Sequence, residues 1–374
     1  MNELKIKVGI DVRDLKISAT GARSYLESLL FEFKKPNNEF EFYFLDTKKE
    51  VYIGNNILLK FKEQFDYFYW KQIQLPRKAK KSGCKILFCS DFLVPLYSSG
   101  IKTIPVFHDA FFWEYPQHYN KIWLNLFKLL GLSAAKKAPY IITPTNYTKN
   151  QLLKYTNINV NQLVVVGEGP KTISKIEEVT ISREINKIIQ YQYLLHVGTF
   201  EKRKNLPFLV NAFKFVQQNG YPNLKLVLVG KNSSKITLDD STLIKETIIN
   251  AQLQDSVILT GYLTDHEVEK IYQHAILYVF PSVNEGFGIP VLEAFKYRIP
   301  VLIANNSCLQ EIAENAALSF NPYDQNDLIN AILKILNDNN LREKFIQLGT
   351  DRLKHFSWDK SAKELMHLFK KAIS

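Results

Sequence analysis

Two carboxylates, Glu285 and Glu293, stand eight positions apart with Gly286-Phe287-Gly288 between them. Ionised carboxylates accept hydrogen bonds from hydroxyl pairs such as those of a sugar or a ribose. Gly286 and Gly288 clear side chains from the loop, which lets ligand hydroxyls reach the backbone. A second cluster, Arg203-Lys204, lies in the run His196-Val-Gly198-Thr-Phe-Glu-Lys-Arg-Lys-Asn205. A guanidinium fork matches two phosphate oxygens and an ammonium adds a point charge, so this pair reads as a diphosphate clamp. Each cluster has a plainer reading when taken alone. Glu285 could be solvated with Glu293 charging a helix start, and Arg203-Lys204 could be a solvated basic turn. Together they point to a ligand that carries both phosphate and hydroxyls.

Such groups work only if rigid elements present them at one place. The apolar run Ala275-Ile-Leu-Tyr-Val-Phe280 predicts a buried strand, and Pro290 suits the first position of a following helix. Tyr193 to Val197 predicts another strand, running through Gly198 to the basic pair, with Asn205 as the cap of a helix opening at Leu206-Pro207. Both clusters then lie at carboxyl ends of strands. That is where open α/β sheets bind ligands and where helix starts attract anions.

The same alternation runs along the chain. Its first half predicts strands at Lys5 to Val12, Glu39 to Leu45, Lys85 to Cys89, Thr103 to Phe107, Tyr140 to Thr143 and Leu163 to Val166. After an irregular, charged stretch from Gly167 to Lys187, read as the linker, the second half predicts six more. These are Tyr193 to Val197, Lys225 to Val229, Val257 to Thr260, Ala275 to Phe280, Pro300 to Ile303 and Ala317 to Phe320. A helical period continues from Trp358 to Ile373. A chain of 374 residues, 46% of them hydrophobic, can furnish two cores.

At this point the sequence resembles retaining glycosyltransferases of family 4. In the amino-terminal half the resemblance rests on Gly9-Ile-Asp-Val-Arg13, Thr20-Gly21, Trp70 to Pro76, Val106-Phe-His108-Asp109 and Tyr115-Pro116. In the carboxyl half it rests on Val197 to Asn205, Leu228-Val-Gly230, Leu259-Thr-Gly261-Tyr262-Leu263, the Glu285 to Glu293 motif, Leu309-Gln-Glu311 and Phe356-Ser-Trp358. It implies an α/β chain of GT-B architecture, two Rossmann-like doubly wound domains facing a central cleft. Residues 1–175 with the returning helix 357–374 would form the acceptor-side domain, and 188–356 the nucleotide-sugar domain.

The resemblance implies transfer of a sugar from a nucleoside-diphosphate sugar to a glycan hydroxyl, with retention at the anomeric carbon. Arg203 and Lys204 would stabilise the departing diphosphate where other transferases use a cation, so no metal and no cofactor are expected; the chain contains no Asp-X-Asp motif. Glu285 would meet the donor sugar, Glu293 the ribose, and Gly286, Phe287 and Gly288 would offer backbone N–H groups. Gly198 belongs to the same motif, and Gly261 and Tyr262 lie where the family's chain passes the base. His108 matches the active-site histidine of the first domain and would position the donor sugar or steady its cation, with Asp109 orienting the ring. The form of the basic motif resembles bacterial mannosyl- and rhamnosyltransferases of surface-polysaccharide assembly, which favours GDP-mannose; a UDP-hexose is the runner-up. A nucleotide-sugar epimerase and a non-catalytic sugar-nucleotide-binding protein stand as readings of other classes.

Two departures from the family pattern stand out. After the first strand Thr20-Gly21-Ala22-Arg23-Ser24 places Arg23 where a second glycine is common, and Arg23 is read as a contact to an acceptor or phosphate. At the linker, Gly167-Glu-Gly-Pro170 replaces the usual Asn-Gly-Val-Asp.

A net charge of +11 asks for an acidic partner. Lys60, Lys62, Lys71, Arg77, Lys78, Lys80 and Lys81 interleave with Phe61, Phe65, Tyr67, Phe68, Tyr69 and Trp70, and Phe111-Phe-Trp113 and Ile122 to Phe127 extend the pattern. This composition suits an anionic membrane surface and a lipid-diphosphate-linked acceptor, although the same aromatics could be core beneath solvated lysines. No nucleic-acid motif accompanies the charge. The start of the chain lacks a signal-peptide pattern and no apolar run is long enough to span a bilayer, so a cytoplasmic protein, peripheral on the inner membrane face, is expected. Cys84, Cys89 and Cys308 are too few for a disulfide framework and have no zinc spacing.

Overall fold

Short runs of Val, Ile, Leu and Phe with few polar interruptions suit strands covered on both faces, and parallel sheets are covered in that way. The computed structural model describes residues 5–16, 21–52, 54, 56–172, 181–233, 235 and 237–374, and such runs form its parallel strands. The chain divides into two units, Met1–Glu168 with Ser357–Ser374, and Gly169–Phe356.

In the first unit β1 (Ile6–Asp11), β2 (Phe40–Leu45), β3 (Ile86–Cys89) and β4 (Lys102–Pro105) form a parallel sheet in the order β2-β1-β3-β4. β5 (Ile141–Thr143) and β6 (Leu163–Val165) pair in parallel beside it. The run expected as one strand to Phe107 stops at Pro105, because the chain there changes partner: Phe107 N donates to Ile142 O at 2.8 Å, on β5. The helix Trp358–Ile373 closes this unit, capped by Ser357. Its Phe369 ring lies 5.7 to 6.4 Å from those of Phe88, Phe33 and Phe40, joining β2, β3 and the helix Gly21–Phe33 into one core.

The interleaved basic and aromatic segment proves to be of two kinds. Phe61 and Phe65, on the helix Ile57–Tyr69, are exposed. Trp70 and Lys71 instead are fully buried, in a π-helical turn Trp70–Gln74. Lys71 Nζ lies 2.7 Å from Asp11 Oδ2, 2.7 Å from Asp91 Oδ1 and 3.3 Å from Asp14 Oδ2, and Trp70 Nε1 donates to Asp11 Oδ1. These two residues therefore belong to the core and to no surface, since a buried ammonium persists only where carboxylates surround it.

In the second unit β7 (Tyr193–Val197), β8 (Lys225–Val229), β9 (Val257–Gly261), β10 (Leu277–Phe280), β11 (Val301–Ala304) and β12 (Leu318–Phe320) form one parallel sheet. Its order is β12-β11-β10-β7-β8-β9. The strand order reverses between β7 and β10, which makes the crevice beyond their carboxyl ends the topological switch point. Of the stretch expected as linker, 173–180 lies outside the described residues, and Arg183–Ile188 is a helix capped by the Ser182 hydroxyl.

Candidate functional site

β7 and β10 are hydrogen-bonded neighbours, so the chains leaving them, one bearing Arg203-Lys204 and the other Glu285, enter the same crevice. Val283 N donates to Arg203 O at 2.8 Å and ties the two loops together. There Glu285, only 7% exposed, receives Lys204 Nζ on Oε1 and Arg203 Nη1 on Oε2, each at 2.6 Å. Arg203 Nε also bonds Glu201 Oε2 at 2.9 Å, and Lys204 Nζ lies 4.7 Å from the centre of the Phe280 ring. Burial raises the Glu285 carboxyl, but the two cations outweigh it and hold the pKa at about 2. Burial, set against Glu285, leaves the Lys204 ammonium below its usual value. The two cations and two carboxylates thus pair with one another.

Glycines shape the space beside this cluster. A Cβ on Gly198 would lie 3.5 Å from Lys204 Cε, and one on Gly230 would fall 1.9 Å from Gly198 O, so the turns after β7 and β8 approach backbone to backbone. Gly288 takes φ +108° at the start of the helix Ile289–Lys296, and a Cβ there would meet Leu309 Cδ2 at 2.7 Å. The helix begins at Ile289, leaving Pro290 at its second position, one later than expected. In its first turn Pro290 has no N–H to offer, and Val291 N donates to Gly288 O at 3.0 Å. Gly286 and Phe287 precede it; the Phe287 ring is buried edge-on against Phe356, and its carbonyl accepts from Cys308 Sγ. Gly261 ends β9 with φ +71°, its carbonyl accepting from Gly230 N, and Tyr262 beside it is exposed.

Glu293 sits within that same helix, part-buried, its Oε2 accepting from Tyr272 OH at 2.9 Å. Burial holds its carboxyl above the ordinary range, against the Tyr272 hydrogen bond, and pushes the Tyr272 and Tyr278 phenols well up. Asn205 differs from expectation. It stands at the cap position with φ +55°, but its side chain makes no cap bond and donates instead to Pro322 O at 3.1 Å. His196, not singled out from sequence, faces Val279 O with Nδ1 at 3.0 Å, while its buried Nε2 has no hydrogen-bond partner among the described residues. Burial and then Lys204 push this imidazole down to about 3, so it is neutral.

His108, Gly21 and Arg23 belong to the first unit. His108 follows β4, its Nε2 2.8 Å from Ser90 O and its ring edge-on to Tyr25 at 4.8 Å. The carboxylate at its other nitrogen is Glu168, 3.6 Å from Nδ1, whereas Asp109, expected to orient the ring, accepts from Phe111 N through Oδ1. Glu168 was visible in the sequence only as a departure from the linker pattern. Gly21 opens the helix Gly21–Phe33 in open space, and Arg23 in its first turn is exposed with Nε bonded to Glu27 at 2.7 Å.

Residues 178–352 match the glycosyl transferases group 1 family. The chain is 25% identical over 276 residues to O-antigen chain mannosyltransferase B of Escherichia coli, covering 72% of this chain and 70% of that protein. It is 28% identical over 271 residues to the O-antigen chain mannosyltransferase RfbU of Salmonella typhimurium, covering 72% and 69%. Among solved structures, sucrose-phosphate synthase from Thermosynechococcus elongatus superposes with a TM-score of 0.73 at 18% identity, covering 99% of both chains. Anabaena HepE in complex with UDP and glucose superposes with a TM-score of 0.70 at 15% identity, covering 98% of this chain and 100% of that one. With two parallel-sheet units and an Arg203–Lys204–Glu285 cluster at a switch point inside the matched region, the chain is a glycosyltransferase of the GT-B fold whose second unit carries a group 1 glycosyltransferase domain.

Proposed function

We propose that the chain moves mannose from GDP-mannose to a hydroxyl of a growing bacterial glycan, with retention at the anomeric carbon and without a metal ion. The observation that carries this reading is the meeting of Arg203, Lys204 and Glu285 in the switch-point crevice. A nucleoside diphosphate entering there competes with Glu285 for both cations. As the bond from the sugar's C1 to the β-phosphate oxygen breaks, negative charge grows on that oxygen, and preorganised cations lower its cost in the transition state. The acceptor oxygen bonds to C1 from the same face, and its proton passes to the departing β-phosphate oxygen. Glu285, ionised at any physiological pH, is left to accept hydrogen bonds from the donor sugar. Glu293 takes the ribose hydroxyls, Gly286, Phe287 and Gly288 the sugar through backbone N–H groups, and Gly261 and Tyr262 border the base.

The donor sugar is argued from the two O-antigen mannosyltransferases to which the chain is similar. A lipid-linked acceptor at a membrane surface is argued from the first unit. Leu58, Phe61 and Phe65 on the helix Ile57–Tyr69, and Ile122, Leu126 and Leu129 on the helix Lys121–Ala135, are exposed at helical spacing. Phe68 and Phe127, 5.0 Å apart, bring these two helices side by side, with Lys60, Lys62 and Lys121 exposed on them. Among the described residues no helix is long and apolar enough to cross a membrane.

Thermal stability with GDP and with UDP in EDTA, on wild type and Glu293→Ala, is the direct test. A ligand at 100 times its dissociation constant adds about 2.7 kcal/mol. Stabilisation by GDP that weakens in the variant supports the reading. Stabilisation by UDP alone moves the donor to a UDP-hexose, and a response that needs divalent metal overturns metal-free transfer.

A further inference from the structure

Glu168 ends the first unit and is 4% exposed, and a carboxylate so removed from water persists only beside a positive charge or hydrogen-bond donors. Among the described residues its ion-pair partner is His108, with Nδ1 3.6 Å from Glu168 Oε1, an ion-pair distance longer than a hydrogen bond. The other ring nitrogen, Nε2, is 2.8 Å from the Ser90 carbonyl. A carbonyl oxygen can only accept, so Nε2 carries a hydrogen. Both nitrogens of His108 therefore face oxygens that accept, the Ser90 carbonyl and the Glu168 carboxylate.

The remaining neighbours agree. Tyr25, from the helix Gly21–Phe33, meets the ring edge-on and keeps its phenol proton, its pKa pushed well up by burial. Thr148, from the helix Asn146–Tyr155, donates to the His108 carbonyl at 3.5 Å and is uncharged. Asp109, next in the chain, adds a second negative charge.

We infer that Glu168 is a positioning residue that keeps His108 doubly protonated, so that the histidine enters the transfer as a cation and hydrogen-bond donor and never as the base. Burial alone pulls this imidazole down, but Glu168, the Ser90 carbonyl and Asp109 outweigh it and hold it above the ordinary value. The inference deepens the transferase reading at one residue, since a histidine already carrying both protons leaves the departing phosphate to take the proton of the acceptor.

The test is a histidine-selective 1H–15N NMR titration of the full chain, with the His108 signals assigned by their loss in His108→Gln. In the wild type the midpoint should lie above the unperturbed ~6.5, with both nitrogens protonated below it. In Glu168→Gln it should fall by about one unit, a tenfold loss of proton affinity, while Glu168→Asp keeps most of the shift. The high-pH limb of kcat/KM should move down with it in Glu168→Gln. A wild-type midpoint at or below ~6.5, or one unchanged in Glu168→Gln, overturns the inference. Should Glu168→Gln fail to fold, the wild-type titration and Glu168→Asp decide alone. The NMR titration is read without substrate, so a failed sugar transfer and a failed ion pair are separable.

Discussion

Glu285 has two cations on its two oxygens at 2.6 Å, and the consequence is measurable without substrate. Its folded pKa of about 2 lies below the ordinary 4.5, so its ionisation stabilises the fold at every pH above the unfolded value. That contribution, about 3 kcal/mol from the size of the shift, fades as pH falls from about 5 toward 2. Chemical denaturation of wild type and Glu285→Gln should therefore differ by a constant amount above pH 5 and converge in acid; a difference that persists at pH 2 would show that packing and not charge holds the residue. Glu293 behaves oppositely, its carboxyl held above the ordinary range by burial, so ionising it costs stability that a bound ribose can return through hydrogen bonds. Replacing it with Gln should weaken nucleotide binding by about tenfold, the worth of one hydrogen bond to a charged acceptor, as read by calorimetric titration. Undiminished affinity would move the ribose elsewhere.

At the scale of elements, the site depends on how closely the turns after β7 and β8 approach. Gly230 and Gly220 both have positive φ, yet only at Gly230 would a Cβ meet backbone, 1.9 Å from Gly198 O, while at Gly220 nothing lies within 4 Å. Gly220→Ala should cost only the left-handed conformational penalty, about 1 to 2 kcal/mol. Gly230→Ala should cost more and should also reduce nucleotide stabilisation, because moving Gly198 moves the chain that carries Arg203 and Lys204. Equal effects of the two substitutions on urea midpoints and on nucleotide response would remove close approach from the account. The paired loops were legible in the sequence because each is local: a strand, a glycine, a charge, a helix start. Asn205 was not, because it looks like a cap and becomes a left-handed residue whose amide reaches Pro322, a partner set by the fold of a distant loop.

For the whole molecule, the net charge of +11 and the exposed apolar stripes of two neighbouring helices lead to one expectation about surfaces. The chain should sediment with anionic lipid vesicles, less so as salt rises and the Debye length shrinks from about 10 Å at 0.1 M, and Phe61→Ser with Phe65→Ser should weaken this further. Sedimentation indifferent to both changes would argue against a membrane face. Sequence alone determined the twelve strands within a residue or two, the two loops that bear the clamp and the glutamates, and the family resemblance, since periodicity, turn residues and charge are local properties. Only the tertiary structure decided that β7 lies beside β10 and so brings Arg203 and Lys204 to Glu285. It alone placed Lys71 among three aspartates rather than on a surface, and Glu168 rather than Asp109 at the Nδ1 side of the His108 ring. Sheet order and burial pair residues far apart in the chain, and a buried charge is chosen by what surrounds it, which no local pattern records.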